Sequence, residues 1–345
     1  MTNNYTPIPY QSQYYELLHT LLTSPTKIGE SRVGKIHGLF VRQIRIDLTE
    51  EFPLMEIKQT SFKNILHELI WFIKGDTNIK YLIDNGCNIW NDDAYRWYNE
   101  KYVPMGAPTM DKENFLTMVK LGSIHRFYKK ISVAVEANFG FESSELDHTY
   151  TYGDLDKVYG RQWKYFGGSV DQLNNIVETL KKNPDDRRMI ITAHNPADIA
   201  SGDVGLPSCH NYVQFYTSKG ANKRKLSLFF NMRSADLFLG VPYNVASYSI
   251  LLHMIAQIVD MELGEVVCNM VDCHLYEKHF DAANTWMLRY EELYNNYPNF
   301  DMELFKCKSS LKMNQTIDNI NDFKFEDFKL MNYNHLGKIE APLLT

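Results

Sequence analysis

The residues best suited to chemistry stand in two neighbouring runs. The first is Leu206-Pro207-Ser208-Cys209-His210, continuing to Gln214. The second is Asn231-Met232-Arg233-Ser234-Ala235-Asp236, continuing through Gly240 to Asn244. A thiol attacks as its thiolate, and nearby cations favour that form. Arginine, serine, aspartate and asparagine soon after it suit an anionic substrate. Pattern alone leaves a second reading open, since a cysteine in an apolar strand is often a small core residue. His210 does not serve as a papain-like base, because adjacent strand residues point to opposite faces.

Two strands must position these residues. Residues 209–216 alternate, with Cys209, Asn211, Val213 and Phe215 on one face and His210, Tyr212, Gln214 and Tyr216 on the other. Residues 226–233 alternate again, with Leu226, Leu228, Phe230 and Met232 on the apolar side. The basic stretch 217–225, with Gly220, reads as the solvated turn of a strand pair.

A carboxylate comes from elsewhere. Residues 61–74 predict a helix with an apolar stripe of Phe62, Ile65, Leu66, Leu69, Ile70 and Ile73, widened by Trp71 and Phe72. Glu68 sits among Ile65, Trp71 and Phe72. Burial there raises a carboxyl pKa, which suits proton transfer near neutrality. The alternative is a Glu paired to a core Arg or Lys. Gly75 and Asp76 stop the helix.

Other candidates are weaker on pattern alone. Arg32, in Glu30-Ser31-Arg32-Val33-Gly34-Lys35, is either a solvated loop residue or a bidentate phosphate clamp. Arg187 and Arg188, before an apolar strand 189–193, read equally as a solvated edge. Asn244 precedes a helix expected over 245–259, so it is an N-cap candidate. Its carboxamide can also donate and accept at once. Residues 10–24 and 169–182 read as further helices, and 37–48 as a strand. The stretch 99–150 is the least regular.

Taken together, these motifs resemble the thymidylate synthase family. The resemblance runs from about residue 30 to the C-terminus and is interrupted over roughly 100–150. It is carried by the Pro-x-Cys-His and Arg-Ser-x-Asp runs and by His67-Glu68-Leu69-Ile70-Trp71-Phe72-Ile73-Lys74-Gly75-Asp76-Thr77-Asn78. Ile89-Trp90, 158–163 and Asp272-Cys273-His274-Leu275-Tyr276 add to it. The resemblance implies Cys209 as nucleophile, Glu68 and Asn244 as proton and base handlers, and Tyr159 as an active-site tyrosine. It implies Asp236 at the folate pterin. Arg32, Arg233, Ser234 and Gln214 would hold the nucleotide, with Arg187 and Arg188 of a second subunit reaching the same phosphate. His274 and Tyr276 would hold the deoxyribose 3′-hydroxyl. Lys58, Trp90, Gly240 and Leu344 would serve the folate.

The fold so implied is α/β (α+β): a large mixed, mostly antiparallel sheet with covering helices. The back of the sheet would form a homodimer. One catalytic domain would span 1–345, with a surface insertion at about 100–150. The activity implied is one-carbon transfer from 5,10-methylenetetrahydrofolate to C5 of dUMP, giving dTMP and dihydrofolate, with no metal.

Several positions depart from the family pattern. Asp93 replaces a usual second Trp, His194 stands where Trp precedes Asn195, and Met232 replaces Gln. Val271 replaces Gly, and Thr345 ends the chain in place of Val or Ile. Asn-Met-Arg-Ser and the missing Trp-Asn are similar to phage nucleotide hydroxymethylases. In those enzymes water adds to the methylene intermediate, giving a 5-hydroxymethyl nucleotide. A silent nucleotide- or RNA-binding homologue is a third possibility, opposed by Cys209, Glu68 and the arginines.

Composition is consistent with this picture. A chain of 345 residues, 44% hydrophobic and 13% aromatic, can bury a large core. A net charge of −6 argues against a general nucleic-acid binder. Five cysteines without a C-x-x-C pair suggest a reducing, cytoplasmic setting and no evident zinc site. No signal peptide or membrane-spanning run is visible.

Overall fold

The protein is described here by a computed structural model that covers residues 8–132, 143–296 and 306–344. Thr345, which stands in place of the family's Val or Ile, lies outside the described residues.

Helix α1 (Tyr10–Thr23) leads into a hairpin of β1 (Lys27–Ser31) and β2 (Gly34–Asp47). Helix α2 (Phe62–Ile73) is capped by Ser61, whose hydroxyl accepts from Asn64 N–H at 3.3 Å. Gly75, at φ +69°, ends it in the left-handed region glycine tolerates. Every residue from Ile65 to Ile73 is buried. Short helices α3 (Lys80–Asp84) and α4 (Asn91–Trp97) follow, and α4 runs into a π turn.

The irregular stretch resolves into α5 (Lys112–Lys120) and a separate hairpin of β3 (Ile124–Ser132) and β4 (Ser143–Thr151). Phe115 of α5 packs on Tyr98 and Tyr152. Then come α6 (Tyr159–Tyr165), α7 (Gln172–Lys182), β5 (Ile190–Thr192) and α8 (Pro196–Ala200). Strands β6 (His210–Lys219) and β7 (Arg224–Met232) form the expected antiparallel pair, and β8 (Ala235–Asp236) follows. The long α9 (Gly240–Ile258), β9 (Glu262–Tyr276) and α10 (Phe280–Asn296) complete the main layers. A last hairpin joins β10 (Ser310–Met313) and β11 (Phe328–Met331).

The main sheet runs β1-β2-β9-β7-β6-β5, with β8 also on β9. The pairs β7–β9 and β8–β9 are parallel and the others antiparallel, so the sheet is mixed and mostly antiparallel, as expected. One face is covered by α1, α2, α9 and α10, whose apolar residues join the sheet's in the core. The other face carries Phe40 and Tyr216, which are 74% and 68% exposed. Among the described residues no helix is long and apolar enough to cross a membrane.

Two sequence expectations are corrected. A β-bulge between His210 and Tyr212 breaks the strict alternation of β6. His210 is therefore buried on the same side as Val213 and Phe215, where simple alternation had put it opposite them. Helix α9 begins at Gly240 rather than 245, because Pro242 fits the first turn of a helix. Asn244 thus lies inside the helix, and Leu239 occupies the N-cap.

Candidate active site

Two buried glycine contacts bring the first elements together. A Cβ on Gly160 would lie 2.8 Å from the Asp76 carbonyl and 3.1 Å from that of Phe72, so α6 meets the end of α2 without a side chain between them. Tyr159 then stacks on Phe72 (4.9 Å) and His210 (4.1 Å). Gly205 is equally tight, with its virtual Cβ 2.9 Å from the Leu155 carbonyl and 3.1 Å from the Trp97 ring. That contact seats the segment leading to Cys209 against α4.

The result is a cleft of about 410 Å³ whose wall includes Cys209, Glu68, Trp90, Tyr159, Ser234, Asp236, Gly240 and Asn244. Cys209 stands just ahead of β6. Its N–H donates to the Tyr159 hydroxyl at 2.7 Å, and its Sγ is 3.9 Å from Arg233 Nη2. Arg233 also donates from Nε to the Ser208 carbonyl (3.0 Å) and from Nη2 to that of Pro207 (2.7 Å). Burial pushes the Cys209 thiol up. Arg233 and Tyr159 pull it back toward the thiolate, whereas Asp93 and Asp236 oppose them. His210 is no base for the thiol. Its Nδ1 lies 2.7 Å from the Tyr248 hydroxyl, and burial pushes its pKa down to about 3.

Among the described residues no cationic side chain pairs with Glu68. Its Oε1 accepts from Trp90 Nε1–H at 2.7 Å, and the residue is buried at the cleft wall. Burial raises its pKa to about 7, moderated by the indole hydrogen bond. A carboxyl poised there can give and take protons at neutral pH. Across the cleft, Asp236 accepts from the N–H groups of Phe238 (2.9 Å) and Leu239 (3.3 Å), which fixes the turn into α9. A Cβ at Gly240 would lie 3.6 Å from both Asp236 Cβ and Asn244 Oδ1, so the glycine stands beside both residues.

Other expected residues lie off this wall. Arg32, Arg187 and Arg188 are exposed, with Arg188 Nη2 held at 2.9 Å by Asp186. Gln214 accepts from the Tyr212 hydroxyl and donates to the Arg187 carbonyl. His274 is buried beside the Asp272 backbone, and Tyr276 is half-buried. Leu344 does not line the cleft; Ala341 and Leu343 do, because the extended tail alternates its side chains. His279 Nε2 lies 2.8 Å from the Pro342 carbonyl and anchors that tail.

Lys58 departs most from expectation. Its Nζ donates to the Phe238 carbonyl and sits 3.8 Å over the Phe238 ring, buried away from the cleft. Burial lowers its pKa to about 7. Residues to which the sequence assigned no role, Tyr243, Leu206 and Leu239, also line the cleft. They read as ordinary apolar positions, and no periodicity separates a cleft wall from a core.

The family model described as "Thymidylate synthase" matches residues 12–345. The chain belongs to the thymidylate synthase family. It is 39% identical over 331 residues to the thymidylate synthase of Mycoplasma mobile, covering 96% of this chain and 99% of that one. Against the thymidylate synthase of Staphylococcus haemolyticus it is 36% identical over 345 residues, covering 97% and 98%. Both relatives bear the synthase name, which favours the synthase reading over a hydroxymethylase or a silent homologue.

Proposed function

We propose that this chain is a thymidylate synthase, which converts dUMP and 5,10-methylenetetrahydrofolate to dTMP and dihydrofolate. The observation that carries the reading is the convergence of the Cys209 thiol and the near-neutral Glu68 carboxyl on one cleft. Uracil C5 is a poor nucleophile. The Cys209 thiolate bonds to C6, the ring electrons move toward O4, and C5 gains the electron density to bond a carbon. Asn244 donates to O4 and accepts from N3–H, which holds uracil rather than cytosine. Glu68, through water, gives a proton at O4 and takes the one that leaves C5. Reformation of the C5–C6 double bond expels the Cys209 thiolate.

The folate fits the same cleft. Ile89, Trp90, Leu206, Leu239, Tyr243 and Leu343 give flat apolar walls, and Asp236 adds a carboxylate for ring N–H donors. Bound there, it supplies the one-carbon unit and the hydride that makes it a methyl group. The Trp90 wall and the tail at Ala341 and Leu343 exclude water during that transfer.

The nucleotide phosphate falls to Arg233 and Arg32 of one chain and to Arg187 and Arg188 of a second. Phe40 and Tyr216, on the uncovered sheet face, support a homodimer formed through that face. The free thiols of Cys87, Cys209, Cys268, Cys273 and Cys307 support a reducing, cytoplasmic compartment.

One assay tests the reaction. The enzyme is incubated with dUMP and methylenetetrahydrofolate, dihydrofolate is followed by absorbance, and the nucleotide is weighed by mass spectrometry. Dihydrofolate formed in step with dTMP is expected. A nucleotide one oxygen heavier than dTMP, formed without dihydrofolate, would overturn the synthase reading.

A further inference from the structure

The loop that carries the nucleophile has little hydrogen-bonded structure of its own. Residues 205–209 form no regular element, and Pro207 has no N–H to give. Side chains hold it instead. Arg233 grips the carbonyls of Pro207 and Ser208 from one side. From the other side Arg96, on α4, donates from Nη2 to the Gly205 carbonyl at 3.2 Å. The same Nη2 donates to Asp93 Oδ1 at 2.9 Å, and Nη1 reaches Glu100 Oε2 at 2.9 Å. The Asp93 side chain is only 13% exposed and stands on the cleft wall that also bears Cys209.

We propose that Asp93 and Arg96 form a clamp that holds the nucleophile loop at Gly205 and neutralises the carboxylate facing the Cys209 thiol. Both are positioning residues, and the inference rests on the reaction proposed above. A buried carboxylate interacts strongly with its neighbours because little water screens it. Asp93 raises the Cys209 pKa, while Arg233 and Tyr159 lower it. Asp236 from β8 also faces the thiol with negative charge. Glu68 from α2 and His210 from β6 share the cleft, the first near its midpoint at neutral pH and the second neutral. Tyr276 from β9 feels the Cys209 charge as well. In this ring of groups Arg96 is the cation that answers Asp93. Without it, a bare carboxylate would oppose thiolate formation, and the Gly205 carbonyl would lose its donor.

The test is the pH profile of Cys209 alkylation by iodoacetamide in the full-length enzyme. The other cysteines are buried, so the reaction reports this thiol. Arg96→Met should move the midpoint up by about half to one pH unit, slowing alkylation at pH 7 by roughly threefold to tenfold. Asp93→Asn removes the carboxylate while Arg96 keeps its pairing with Glu100, and it should move the midpoint down by a similar amount. The double variant should return near the wild-type midpoint yet keep a reduced kcat, because Gly205 stays unheld. Loosening alone would not shift two variants in opposite directions. Shifts of the same sign, or no shift in either, would overturn the clamp. If Arg96→Met does not fold, Asp93→Asn decides alone, and a midpoint that stays or rises counts against it. Alkylation requires neither nucleotide nor folate, so its outcome is independent of whether wild-type enzyme forms dTMP.

Discussion

The inner cleft and the arginine rim proposed for it are built in opposite ways. Glu68, Trp90 and Tyr159 are buried, and each is locked by a hydrogen bond or ring contact within this chain. Arg32, Arg187 and Arg188 lie on exposed turns, and Arg188 spends its fork on the adjacent Asp186 with its side chain 88% exposed. The proton chemistry needs a desolvated carboxyl, which a single core supplies. The phosphate needs several guanidinium groups, which cannot all be desolvated before the anion arrives. In the function proposed above, one chain completes the reacting centre, while the anion end stays open for the substrate and for a second subunit.

The largest expected effect tests the inner region. Cys209→Ser should lower turnover by on the order of 10⁴-fold and abolish covalent capture of 5-fluoro-dUMP in the presence of folate. A denaturation-resistant adduct in that variant would remove Cys209 from the role. Glu68→Gln should lower kcat by roughly 10²–10³-fold. It should also change stability, with a sign that the raised pKa fixes. The folded carboxyl titrates near 7, above its ordinary value of 4.5, so the folded state keeps a proton that the unfolded state releases. That stabilisation is complete below pH 4.5 and is lost as pH rises to about 7. Glutamine carries no charge to desolvate, so the variant should exceed wild type by about 3 kcal/mol at pH 8 and match it near pH 4. Urea midpoints at the two pH values measure this. Equal stability at both would mean that Glu68 does not titrate near neutrality.

The rim is tested by mixing. Arg188→Ala should lower kcat/KM for dUMP by roughly tenfold to a hundredfold. Combined with inactive Cys209→Ser and allowed to exchange subunits, it should regain about a quarter of wild-type activity, because half the dimers are mixed and each carries one intact site. A mixture that stays at the level of its parents would break the contrast, placing the rim wholly within one chain.

How far the sequence foretold this arrangement follows the same division. The Glu68 environment was legible because helical spacing names its neighbours at i−3, i+3 and i+4. The Cys209 and Arg233 strands were legible from alternation, apart from the bulge at His210 to Tyr212, which no pattern announces. The start of α9 was missed because glycine and proline ordinarily oppose helix, although proline is tolerated in a first helical turn. Lys58 was expected to serve the folate, yet its ammonium is covered by Phe238, a contact set wholly by tertiary packing. The Arg96 grip on Gly205 spans 109 positions, and a short-range reading cannot see such a pairing.

The smallest expected effect separates the two duties of Trp90. Its indole forms cleft wall, and its Nε1–H is the hydrogen bond that Glu68 Oε1 accepts. A donor to the ionised form stabilises that form, so the indole holds the Glu68 pKa below what burial alone would impose. Trp90→Phe keeps an aromatic wall and removes the donor. The Glu68 pKa should then rise, and the acidic limb of the kcat profile should move toward higher pH by about half to one unit. The loss of ring area should act separately, raising KM for the folate a few-fold at every pH. A variant whose KM rises while its pH limb stays fixed would mean that the indole shapes the wall without tuning the acid. A limb that moves to lower pH would contradict the hydrogen bond's assigned sign, and with it the view that the inner cleft is tuned by the core of a single chain.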